Sequence, residues 1–299
     1  MKKRLRQRLV APALPPLALA AAALLAAHLP AQAQYYDYSG VVLTSPTDLF
    51  PVNVFNAALD LRPNMLFVGV GAPGSFSVFA GADLQANNLV LGTSGTGNGS
   101  FSVEGNYESN TSALVELTGS GVRLDVGSWG TGLLTVKQGA LLDASVDTAA
   151  CGIGCFNIIG NGAGSNGTLR IEGSGSEVRL LSLTVGQTSV FTTAGGSSAD
   201  FGTPGATTNA FIEVLAGGTL RSQNSVVANN NAAPNGQGTE KANGTVTIDG
   251  TGSQWIVGRN TLNNSAALLT IGNGVGANGL VTVSNGARSR CGGSRRSAE

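Results

Sequence analysis

Five times between residues 66 and 283 the chain runs through the same phrase: an alternating apolar run closed by Gly, a polar turn, and a second alternating run opened by Gly. Leu66-Phe67-Val68-Gly69 leads to Gly74-Ser75-Phe76-Ser77-Val78, and Leu89-Val90-Leu91-Gly92 leads to Gly99-Ser100-Phe101-Ser102-Val103. Leu124-Asp125-Val126-Gly127 is followed by Gly132-Leu133-Leu134-Thr135-Val136, and Phe156-Asn157-Ile158-Ile159-Gly160 by Gly167-Thr168-Leu169-Arg170-Ile171. Leu269-Thr270-Ile271-Gly272 precedes Gly279-Leu280-Val281-Thr282-Val283. The closing glycines at 69, 92, 127, 160 and 186 are 23, 35, 33 and 26 residues apart, a repeat with loops of variable length.

A period of two makes each run a half-buried strand with one apolar face. The runs are only four or five residues long, and Gly and Asn mark corners where the backbone turns with positive φ. A propeller blade needs longer strands and two-residue hairpins. Short strands with polar corners instead predict an all-β chain, a right-handed parallel β-helix whose coils bury their apolar faces on one another. With coils of roughly 20 residues, residues 66–287 give about ten coils and a stack of about 50 Å.

The flanks read differently. Lys2, Lys3, Arg4, Arg6 and Arg8 precede the apolar run Leu17 to Ala27, which ends in Pro30 and Ala31-Gln32-Ala33. That order is a secretory signal peptide over residues 1–33, with cleavage before Gln34; its apolar run is too short to span a bilayer. Residues 34–65, with Tyr35, Tyr36, Tyr38, Phe50 and Phe55, are expected to form an N-terminal cap over the open end of the coil. Residues 66–287 carry the repeats. From Arg288 to Glu299 the composition turns basic, and the segment reads as an aberrant tail broken off in mid-repeat.

Charge narrows the function classes. Residues 34–287 hold 8 basic and 16 acidic side chains, which argues against a nucleic-acid groove or a basic membrane-binding face. No segment of the mature chain reaches membrane-spanning length. The single histidine, His28, lies in the signal peptide, so Ser-His-Asp and Cys-His mechanisms and imidazole-based zinc sites are not expected. Calcium is not expected either, because Gly160-Asn161-Gly162-Ala163-Gly164-Ser165-Asn166-Gly167 lacks the Asp of the calcium-binding nonapeptide. No cofactor, metal site or catalytic residue is predicted.

Carboxylate chemistry passes that filter. Arg170 with Glu172, and Glu177 with Arg179, sit two apart and share a strand face, the pattern a β-helical lyase or glycosidase needs and also that of a solvated ion pair. Trp129 and Trp255 are candidate stacking platforms for sugars, or else covers over corners of the coil. Cys151 and Cys155 flank Gly152-Ile153-Gly154 in a longer loop, and in an oxidising compartment they are predicted to form a local disulfide. Asn-x-Ser/Thr triplets at Asn98, Asn110, Asn166, Asn243 and Asn263 are read as products of Asn-Gly-rich turns.

The corner Gly173-Ser174-Gly175-Ser176-Glu177-Val178 leading to Leu183-Thr184-Val185-Gly186, with Gly250-Thr251-Gly252-Ser253-Gln254-Trp255 and the shorter Gly119-Ser120-Gly121-Val122, resembles the repeats associated with type V secretion and PEP-CTERM proteins. The resemblance covers most of residues 66–287. It implies an exported autotransporter-passenger-like β-helix, in the periplasm, at the outer-membrane surface or extracellular. It also implies an adhesin or structural stem that meets surface glycans, matrix or other cells. The membrane barrel of autotransporters and the Pro-Glu-Pro sorting tail of PEP-CTERM proteins are not found in this sequence.

Overall fold

In a computed structural model the alternating runs close into triangular coils, three strands per coil, each strand paired with its counterpart in the next coil. The structure describes residues 36–43, 58–106, 111–119, 121–145, 156–188, 206–230, 240–258 and 267–292. Two compact units separate, Met1–Gln34 and Tyr35–Glu299, and all described residues belong to the second. The signal-peptide segment 1–33 and the Cys151–Cys155 pair lie outside the described residues.

The architecture is a right-handed parallel β-helix of three faces, eight strands in each sheet. The fourth coil shows the pattern: Phe156–Asn161 on the first face, Asn166–Glu172 on the second, Glu177–Leu180 on the third. Among the described residues seven such coils stack, where the expected coil length gave about ten. The first-face corner residues 69, 92, 127, 160, 186, 228 and 272 fix the coil lengths at 23 to 44 residues, because insertions at the corners lengthen a coil without adding a rung.

Burial follows the predicted phase. On the second face Phe76, Phe101, Leu134, Leu169, Ile212 and Val246 form one inward column, all at most 1% exposed. Each such side chain contributes about 1.5–3 kcal/mol of transfer free energy, and the neighbouring coils supply most of its partners.

Glycine makes the corner between the first and second faces. Gly69, Gly92, Gly127, Gly160, Gly186 and Gly272 all adopt φ between 65 and 76°, and Ala228 completes the column at 63°. A second glycine column, Gly99, Gly132, Gly167 and Gly244, lies against it. A methyl on Gly132 would sit 2.2 Å from the Gly127 nitrogen, so the backbones meet with no room for a side chain.

The Gly-Ser-Gly-Ser motif builds the corner between the second and third faces. Gly173 and Gly175 turn the chain at φ 92 and 81°. The buried Ser176 hydroxyl donates to the Glu172 carbonyl at 2.7 Å and accepts from the Gly139 amide of the preceding coil at 3.0 Å. Ser253 repeats the clip, donating to the Asp249 carbonyl and accepting from Gly217 N–H. The motif is therefore a staple between coils.

At the N-terminal end Tyr36–Gly40 and Val42–Leu43 pair antiparallel with Pro73–Phe79 and Met65–Val70 of the first coil. The Tyr38 and Phe76 rings stack with centroids 6.2 Å apart, and Phe76 stacks on Phe101 at 5.5 Å. Ala58–Asp60, within the segment read as cap, already pairs parallel with Asp83–Gln85 and opens the third sheet. At the other end Arg288–Cys291, read as aberrant tail, forms a third-face strand on Gln254–Val257. Its register places Arg288 and Arg290 in the outward columns, so the four-residue strand fits despite its basic composition.

Tyr36 is 3% exposed, and its hydroxyl donates to the Asp83 carbonyl at 2.8 Å. Burial, reinforced by the Asp83 carboxylate, pushes the phenol from 10.0 up to about 12. The folded chain thus favours neutral Tyr36: this stabilisation is complete below pH 10 and is lost as pH rises from 10 to about 12. Melting temperature is expected to fall across that interval, and the Tyr36→Phe chain, lower at pH 8, to fall less steeply. Parallel slopes would contradict the assignment.

Candidate functional site

The third face presents the densest outward charge among the described residues. Its strands Asp83–Ala86, Leu114–Leu117, Leu141–Ala144, Glu177–Leu180, Thr219–Ser222 and Gln254–Val257 alternate one residue in and one out, and Ala58–Asp60 and Arg288–Cys291 continue their register at the two ends. One outward column reads Asp60, Gln85, Glu116, Asp143, Arg179, Arg221, Ile256, Arg290 along the stack. Rungs lie about 4.8 Å apart, so neighbours in the column are within side-chain reach.

Contacts tie this column together. Gln85 Nε2 donates to Glu116 at 3.0 Å, and Arg179 reaches Asp143 at 3.4 Å. Arg179 Nε and Arg221 Nε both donate to Glu177 Oε1, at 2.8 and 2.6 Å. Burial pushes the Glu177 carboxyl up, but hydrogen bonds and charge from Arg179 and Arg221 outweigh it and leave the group below its ordinary value. Asp60 is held down to about 2, chiefly by its side-chain hydrogen bond with Arg62. Carboxylates shifted in this direction stay ionised at neutral pH, whereas a general acid working there needs the opposite shift.

Beside the column a shallow groove is lined by Glu116, Thr118, Asp143 and Ser145. The Ser145 backbone N–H and hydroxyl both donate to Asp143 Oδ1, at 2.9 and 2.5 Å, which fixes the carboxylate at the groove wall. Among the described residues no group of three or more His, Cys, Asp or Glu side chains is placed to hold a metal ion.

The second face carries a different surface. Asn166, Asn209, Asn243 and Asn278 stack in register, each later side-chain amide donating to the carbonyl oxygen of the one before, at 3.0–3.2 Å. In the next outward column the exposed Leu133, Phe211 and Leu280 alternate with Thr168 and Thr245. Arg170 lies here, paired with Glu213 at 3.0 Å. Arg170 with Glu172 and Glu177 with Arg179 therefore stand on different faces and do not converge in one groove.

The tryptophans do not share a surface either. Trp255 is a correction to the sugar-platform expectation: it is 0% exposed in the inward third-face column, its indole N–H donating to Ser222 Oγ at 2.9 Å. Strand phase turns it inward, and no ring face remains for a ligand. Trp129 sits at the corner after the first face, half-buried at φ 66°, with its ring over the α-carbon of Gly162. Cys291 is an exposed free thiol.

Sequence reasoning missed both ladders. The signals were present: the recurring Asn-Gly pairs at 98–99, 166–167, 243–244 and 278–279, and the third residue of each four-residue third-face strand. Among the described residues no helix is long and apolar enough to cross a membrane. No protein-family model matches the chain, and comparisons with curated proteins and with solved structures return no match.

Proposed function

We propose that this chain is an exported, noncatalytic repeat body of the autotransporter-passenger kind associated with type V secretion and PEP-CTERM proteins. It acts at the cell surface or outside the cell as an adhesin or structural stem, meeting surface glycans, matrix or other cells through its ladders. The observation that carries this reading is the division of the outward side chains into in-register ladders on separate faces, with the candidate carboxylate and guanidinium pairs split between two of them. Repetition at about 4.8 Å matches an extended polymer or a lattice of ligands better than a single small molecule.

The exported product, incubated with pectin-like and other acidic polysaccharides, is expected to release no oligosaccharide product. On immobilised surface polysaccharide or matrix it is expected to be retained. Product formation that disappears in the Arg179→Ala or Arg170→Ala chain would overturn the reading in favour of a carbohydrate-active β-helix enzyme.

A further inference from the structure

The third-face column has a property that no single coil shows. Read from its two ends inward, Asp60 stands against Arg290, Gln85 against Ile256, Glu116 against Arg221, and Asp143 against Arg179. Every acidic rung of one half has a basic rung at the mirror position, and the one uncharged rung has an uncharged mate. The centre of this antisymmetry falls between the Leu141–Ala144 and Glu177–Leu180 strands.

We infer that the third face is the contact surface for a second copy of this chain, related by a twofold axis running along the strand direction. That operation turns the face over and reverses the order of coils, while each outward column stays opposite itself. Glu116 then meets Arg221 of the second copy and Asp60 meets its Arg290, each contact occurring twice as an isologous interface requires. At the centre the Asp143 and Arg179 pairs of the two copies cross to make an alternating square of four charges. A parallel arrangement, with the axis along the stack, exchanges the two outward columns: it sets Arg179 against Glu177 but leaves Glu116 and Asp143 against Leu114 and Leu141 and brings Arg290 against Arg288, so it pairs fewer charges.

The side chains are free to meet a partner. Asp60, Arg179 and Arg221 retain 54%, 41% and 48% of their side-chain exposure despite their intrachain bonds. In the neighbouring outward column the same operation sets Leu114 opposite Thr219, Leu141 opposite Glu177 and Asp83 opposite Gln254, so the complementary charges all lie in the first column. Eight strands of at most four residues cover roughly 34 by 13 Å, about 450 Å² per copy, which is below the size of stable interfaces and in the range of transient ones. Pairing is therefore a reversible, salt-sensitive equilibrium. It stands on this charge order alone and is independent of the proposed function.

Sedimentation of the exported chain over a dilution series tests the inference. A monomer–dimer equilibrium is expected at low ionic strength, weakened about tenfold or more at 0.5 M salt. Glu116→Arg and Arg221→Glu are each expected to weaken self-association at least about tenfold, since each sets like charges together twice. Mixing the two variants in equal amounts is expected to restore pairing, because every contact of the mixed dimer is again complementary. Arg221 also holds Glu177, so Asp60→Arg with Arg290→Glu forms a second exchange pair, chosen if circular dichroism shows the first variant unfolded. A chain monomeric up to about 100 μM at low salt, a dimer indifferent to the reversals, or mixtures that do not recover pairing would each overturn the inference.

Discussion

Gly92→Ala is expected to destabilise the chain by about 3 kcal/mol or more, measured as the shift of the urea midpoint. Two costs combine. Gly92 stands at φ 65°, where a side chain costs about 1–2 kcal/mol. An added methyl would also lie 1.9 Å from the Thr131 carbonyl oxygen, a main-chain atom fixed by the strand Thr131–Lys137 and unable to swing aside. Ala228 shows that the left-handed backbone alone is compatible with this corner, since it carries a methyl at φ 63° in the same column. The loss beyond about 2 kcal/mol at Gly92 therefore measures the closeness of adjacent coils. A change smaller than about 1 kcal/mol would mean that the coils do not pack backbone to backbone at this corner.

Trp255→Ala is expected to cost about 3–5 kcal/mol, because it empties the place of the largest fully buried side chain. Its neighbours along the inward column are Leu220 and Ser289, on strands whose register would have to slip to fill the space. Trp255→Phe keeps most of the ring and removes the N–H that binds Ser222, so a smaller loss of about 1–2 kcal/mol is expected. Fluorescence adds a direct check, since Trp129 is the other tryptophan. The emission lost in the variant should be the blue component of a dry indole. Loss of a red, solvent-exposed component would place Trp255 on the surface and restore it as a candidate sugar platform.

Much of this fold was legible because period-two burial and left-handed corners impose local residue choices. The spacings of Gly69, Gly92, Gly127, Gly160 and Gly186 are the coil lengths themselves. The count of coils was not legible, because insertions at the corners stretch each coil to between 23 and 44 residues, so that a coil of roughly 20 residues overstates their number. Asp125 was also missed. It lies in the outward phase of its strand yet is 0% exposed, bonded to Arg123 and accepting from Asn161 Nδ2 at 2.8 Å. A partner 36 residues away leaves no trace in local pattern. The third-face charge order is invisible for the same reason: its members sit in different coils, and only register brings Glu116, Asp143 and Arg179 into one line.

The serine staples have a mechanical corollary. Ser176 and Ser253 each bind a main-chain amide of the preceding coil, so these links run along the direction of pull rather than around the turn. Under tension applied through the two ends, such links share load with the ladder hydrogen bonds instead of failing before them. Separating the third coil from the fourth, or the fifth from the sixth, therefore breaks one bond more than the strand ladders alone supply.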